Sequence, residues 1–241
     1  MYSPEPPLSP KETLPTMYDL PSEDPEEPGL PDEFHLFQPQ LLRETCKPKT
    51  YPSSQVFVGA DLNLYYDGRN TSWHKRPDWF VVLGVERANE QADLRRSYVI
   101  WQELVSPFLV VELLSPGTEA EATEPAGGQT LREVNQPPTK WQVYEQILRV
   151  PYYAVFDRYG NNFRLFQLVG TRYEEQILSD RDYWFEELAL GLGVWQGEYK
   201  DVRGQWLRWK TRDGQWVPTD GERAEKLAER LRSLGINPED V

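Results

Sequence analysis

The sequence predicts an α/β fold with a β-rich extension toward its C-terminus, and three observations lead there. Two short aliphatic runs, in RPDWFVVLGV (76–85) and SPFLVVELLSPGT (106–118), suit strands buried on both faces. A helical pattern, KWQVYEQIL (140–148), separates the second run from a third strand, PYYAVFD (151–157). Further on, a β-rich piece holds Trp195, Trp206, Trp209 and Trp216, with a hairpin signal at Asp213–Gly214.

Taken in order, residues 1–33 hold nine acidic residues, one lysine and nine prolines. So many prolines exclude helix and sheet from much of that stretch, which reads as an acidic arm. EFHLFQPQLLRET (33–45) suits a short helix interrupted near Pro39, with His35 either facing a cleft or serving packing. VFVGADLNLYY (56–66) reads as one strand closed by Asp67–Gly68, with Asp61 an outward or edge residue. The polar run ERANEQADLRRSYVIWQE (86–103) reads as a loop whose Arg95 and Arg96 either meet a phosphate backbone or stay solvated. Residues 117–138, with Gly127–Gly128 and Pro137–Pro138, read as a second loop that could move when substrate binds.

In the helical pattern, Trp141, Tyr144, Ile147 and Leu148 form a core-facing stripe, and Lys140 is offset from it by one position. PYYAVFD turns through RYGNN into FRLFQLVG (163–170), a hairpin in which Asp157 is a turn residue. The tryptophans either fill a small sheet or stack on bases. ERAEKLAERLRSLGI (222–236) sets Ala224, Leu227, Leu231 and Leu234 at heptad spacing, an amphipathic helix for packing on the body or on a second subunit. The divisions are therefore 1–33 (arm), 34–180 (core), 181–218 (β-rich extension) and 219–241 (helix).

Asp78 opens the first buried run and Glu112 lies inside the second. An ionised carboxylate within such a run costs on the order of several kcal/mol unless something pairs with it. A shared divalent cation would relieve both acids, and so would structural ion pairs. Lys140 supplies a third candidate, acid, acid and lysine, or is a merely exposed helix residue.

From about Val56 to Leu168 the chain resembles the PD-(D/E)XK nuclease superfamily, and within it the bacterial Uma-type restriction-endonuclease family. The strings that carry the resemblance are VFVGADLNLYYDG, KRPDWFVVLGV, PFLVVELLSPGTE, KWQVYEQILRVPYYAVFD and LALGLGVWQG, in that order. The resemblance implies a restriction-endonuclease-like mixed central sheet flanked by helices, and a Mg²⁺-dependent phosphodiesterase centre, with Mn²⁺ a possible substitute. It makes Asp78 and Glu112 metal ligands, adds the backbone carbonyl of Leu113, and assigns catalysis to Asp78, Glu112 and Lys140. The superfamily's usual lysine, two residues after the glutamate, is Leu114 here. The resemblance implies a lysine moved to the following helix, where Lys140 stands, with Lys75 the next candidate. The superfamily often pairs two sites, so a homodimer is an open expectation.

Composition narrows the rest. Cys46 is the only cysteine and His35 and His74 the only histidines, which argues against a Cys/His zinc site or a thiol nucleophile. The lone cysteine fits a reducing cytoplasm. No apolar run approaches the roughly 20 residues that span a bilayer, and MYSPEPPLSPKE lacks the pattern of a signal peptide. The net charge is −13, of which −8 belongs to residues 1–33, leaving −5 for the remainder. Weak non-specific DNA affinity follows, because Lys and Arg supply most of it. The expected function is Mg²⁺-dependent cleavage of DNA. The rival is a non-catalytic nuclease-fold protein that binds nucleic acid or a protein partner. A third reading, a carbohydrate- or protein-binding module, rests on the tryptophans alone.

Overall fold

A computed structural model describes residues 8–16, 19–20, 32–114 and 137–238. Most of the proline-rich arm and the 117–136 part of the second loop lie outside the described residues. The chain is mixed α+β, as expected, and its described residues form three sheets and few helices. It divides into two compact units, Met1–His35 with Tyr51–Ile177, and Leu36–Thr50 with Leu178–Val241.

In the first unit a one-turn helix α1 (Pro10–Thr13) begins at Ser9. Leu14 and Leu20 pack on Tyr65, Val99 and Trp101, and the Trp101 indole donates to the Pro15 carbonyl at 3.0 Å. The helix α2 (Phe34–Thr45) begins in this unit and runs on in the second. Pro39 does not interrupt it. Its missing N–H removes one bond, to the His35 carbonyl, and the rest of the ladder continues.

The expected strand over 56–66 is broken. It forms β1 (Val56–Gly59) and β2 (Leu64–Tyr65), which belong to different sheets. Between them Asp61 takes the left-handed region, φ 49°, which ends any strand but suits an aspartate. Next come β3 (His74–Lys75) and β4 (Trp79–Leu83). The 86–103 run is more ordered than a loop. It contains β5 (Tyr98–Val99), parallel to β2, and a one-turn helix α3 (Ile100–Glu103). Arg95 is engaged inside the protein: its Nε lies 2.7 Å from Glu103 and its guanidinium stacks over Phe57.

The strand β6 (Leu109–Leu113) is followed by α4 (Lys140–Gln142), a π-helical turn over Val143–Ile147, β7 (Tyr152–Asp157), β8 (Asn162–Val169) and β9 (Arg172–Glu175). The main sheet runs β1-β4-β6-β7-β8-β9, with β6 and β7 parallel and its other neighbours antiparallel, hence mixed. β4 and β6 are buried as their aliphatic runs require. Phe80, Val110, Tyr153 and Phe166 meet Trp141, Tyr144 and Leu148 in one core. The wide π turn alters the helix stripe, exposing Ile147 and burying Val143. Asp157 caps its hairpin turn, accepting the N–H groups of Tyr159 and Gly160 at 2.9 and 3.0 Å.

In the second unit β10 (Asp182–Phe185), β11 (Leu190–Tyr199) and β12 (Val202–Lys210) form an antiparallel sheet. Trp206 and Trp209 are buried in it, and Arg208 stacks over Trp195 at 4.3 Å. The Gln38 amide covers the open edge of β12, donating to the Leu207 carbonyl and accepting its N–H, both at 2.8 Å. The helix α5 (Asp220–Ser233) starts at a Thr219–Glu222 capping box and has no buried residue. Its heptad stripe thus packs into no core of the described chain, and Leu227 is 64% exposed. No helix among the described residues is long and apolar enough to cross a membrane.

Candidate active site

The register of β4 on β6 pairs Trp79 with Val111. One step further, Asp78 stands opposite Glu112, and opposed residues of an antiparallel pair share a face. Directly opposite residues of such a pair hold their Cβ atoms about 4.5–5.5 Å apart, so the two carboxyl groups are neighbours. Two acids 34 positions apart in sequence are therefore joined by strand register.

The ladder stops at that point because of Pro77. Leu114 N–H bonds the Phe156 carbonyl of β7, so the N–H and C=O of Leu113 face the β4 side. Their partner there would be Pro77, which has no N–H. Its carbonyl is taken by Asp61 N–H at 3.1 Å. Side chains replace the missing ladder bonds. Asp78 Oδ2 accepts the Leu113 N–H at 2.6 Å, and His35 Nε2 lies 3.2 Å from the Leu113 oxygen. Asp61 stays outside the cluster, paired with Arg76 at 2.7 Å, and holds the turn that presents Asp78.

Glu112 is 2% exposed. Both of its oxygens are served by the helix that follows β6. Lys140 Nζ lies 3.0 Å from Oε2, and Tyr144 OH donates to Oε1 at 2.8 Å. Thr139 caps that helix, its hydroxyl accepting Gln142 N–H at 3.2 Å while Gln142 Oε1 accepts Thr139 N–H at 3.1 Å. The cap sets Lys140 in the first turn, and four residues later Tyr144 lies on the same face. A π turn begins at Val143, a distortion frequent at functional sites.

The electrostatics follow from this crowding. Burial, then the charge of Glu112, pushes the Asp78 carboxyl well above its usual range, against the opposing pull of Lys140 and the Leu113 N–H. Burial, then the same charge, also pushes the Tyr144 and Tyr153 hydroxyls up, so both remain protonated donors. The cluster is thus short of positive charge. Two carboxylates and a main-chain carbonyl outside the ladder are hard oxygen donors, a set that suits Mg²⁺ or Mn²⁺ with retained waters. Among the described residues no group of three or more His, Cys, Asp or Glu side chains could hold a metal ion by itself, so a cation here would need the carbonyl and water as further donors.

The structure brings Asp78, Glu112, Leu113 and Lys140 together. Lys75 lies in β3, in a different sheet from Asp78's neighbour β4. Sequence reasoning missed Tyr144, assigned only to the core stripe, although its spacing of four from Lys140 was a usable signal. It also left His35 undecided. A family model, Uma2, described as "Putative restriction endonuclease", matches residues 17–226. No curated protein matches the chain.

Proposed function

The chain belongs to the Uma2 family, and from that premise we propose that it is a divalent-cation-dependent endonuclease that hydrolyses phosphodiester bonds of DNA. The observation that supports this reading most is the meeting of Asp78, Glu112 and Lys140 where the β4–β6 ladder ends. Asp78, Glu112 and the Leu113 carbonyl are the proposed cation ligands. The bound cation would supply Lewis-acid polarisation of the phosphate and a more acidic water. Lys140 orients that water and stabilises charge developing on the phosphoryl oxygens. Tyr144 holds Glu112 from behind, so the carboxylate keeps its direction while Lys140 turns from it to substrate.

The test uses plasmid and single-stranded DNA with Mg²⁺ or Mn²⁺. Cleavage should occur, stop with EDTA, and vanish in Asp78→Ala and Glu112→Ala. Lys140→Met should slow cleavage by roughly 10²–10³-fold while sparing cation affinity. Cation binding without cleavage of any DNA would favour a non-catalytic nucleic-acid-binding role, which the body's net acidity already makes the second reading. Full activity in Lys140→Met would remove Lys140 from the assignment and turn attention to Lys75.

A further inference from the structure

His35 is 4% exposed and has a defined partner on each ring nitrogen. Nδ1 lies 2.8 Å from Asp32 Oδ1, and Nε2 lies 3.2 Å from the Leu113 oxygen. Asp32 also accepts the His35 main-chain N–H at 3.2 Å. Its other oxygen accepts from Arg158 Nη2 at 2.6 Å, and the Arg158 guanidinium stacks over Phe34 at 4.7 Å. Burial works to raise the Asp32 carboxyl, but hydrogen bonds from His35 and the charges of His35 and Arg158 outweigh it and keep Asp32 ionised. Both ring nitrogens face acceptors, so guanidinium, carboxylate, imidazolium and carbonyl form one chain ending at Leu113.

Capping a buried carbonyl needs only one donor. Here the donor is itself oriented by a carboxylate, and that carboxylate by an arginine, the pattern by which outer groups fix the groups that touch a metal. The carbonyl concerned is the one Pro77 leaves without a ladder partner, on the residue that follows Glu112 and whose N–H Asp78 accepts. An oxygen with two lone pairs can accept from Nε2 and still face a cation.

We propose that His35, aligned by Asp32, is a positioning residue of this centre that fixes the Leu113 carbonyl as a cation ligand. The role rests on the reading of Asp78, Glu112 and Leu113 as ligands given above. It adds to that reading a residue on α2, 78 positions from Leu113 in sequence.

The experiment titrates the full-length, cation-free protein with Mn²⁺ and follows water-proton relaxation, alongside thermal unfolding of each variant. His35→Gln keeps an amide N–H where Nε2 stands. His35→Asn keeps the approach to Asp32 but stops short of Leu113. His35→Gln should bind Mn²⁺ within about threefold of wild type, and His35→Asn about 10- to 100-fold more weakly, with the two variants unfolding at similar temperatures. Equal affinity in His35→Asn and wild type would overturn the positioning role. Equal losses in both variants would overturn it too, by showing that burial of the ring is what matters. Wild-type protein that takes up no Mn²⁺ sensitive to Asp78→Ala would overturn the reading of the whole centre, and this role with it. Wild-type uptake with an unaffected His35→Asn removes His35 alone.

Discussion

Tyr144→Phe isolates one hydrogen bond in the buried centre. Tyr144 is fully buried and its hydroxyl donates to Glu112 Oε1 at 2.8 Å. Phenylalanine keeps the ring and its packing on Tyr153, whose centroid lies 5.3 Å away. Only the hydroxyl is lost, and Glu112 Oε1 then loses that donor while Oε2 keeps Lys140. A hydrogen bond to a charged group is worth about 1.5–3 kcal/mol, and a buried acceptor left without one loses that much. For a chain of this size the change lowers the melting temperature by roughly 3–12 °C. Urea denaturation of cation-free protein, followed by circular dichroism, measures it in the transition of the unit that holds the main sheet. In a Glu112→Gln background the same substitution should cost only about 0.5–1.5 kcal/mol, because a neutral amide replaces the charge. A Tyr144→Phe protein within about 0.5 kcal/mol of wild type would refute the reasoning, since water or a shifted side chain would then be serving Glu112.

Two further outcomes follow from other parts of the chain. Asp78 has its folded-state proton affinity raised by burial and by Glu112, so the folded protein holds that proton more tightly than the unfolded chain. Its stabilising contribution is complete below the ordinary value of 3.8 and is lost as pH rises through the raised folded value. Thermal melts of cation-free wild type and Asp78→Asn across pH 4–8 should therefore show the wild type losing ground to the variant as pH rises; a constant difference would count against the shift. In the second unit, Gln38→Leu leaves the Leu207 N–H and carbonyl without partners, so denaturation should show a loss of roughly 2–4 kcal/mol there. Mn²⁺ uptake should be unchanged, and a loss of uptake would show that the variant disturbs more than that edge.

The main strands were legible from local composition. An aliphatic run such as FVVL or FLVV signals burial on both faces wherever it sits, and the β7–β8 hairpin announces itself through RYGNN between two apolar runs. The acids were legible for the same reason, because a carboxylate inside or beside such a run is conspicuous. Breaks that depend on a single backbone angle were not. Asp61 at φ 49° splits what reads as one strand, and the π turn after Gln142 moves Val143 inward and Ile147 outward, against the three- and four-residue spacing.

By itself the sequence determined which residues were candidates: Asp78, Glu112 and Lys140, in elements whose type follows from short-range pattern. Tertiary structure alone decided that they meet, because strand register is set by packing over the whole sheet and one residue's slip would turn Glu112 to the other face. It also decided what surrounds them. Pro77 can withhold a hydrogen bond from Leu113 only once β4 lies beside β6, and Tyr144 and His35 can fill in only after the helices have docked. Those contacts join residues tens of positions apart, and no local preference encodes such a distance.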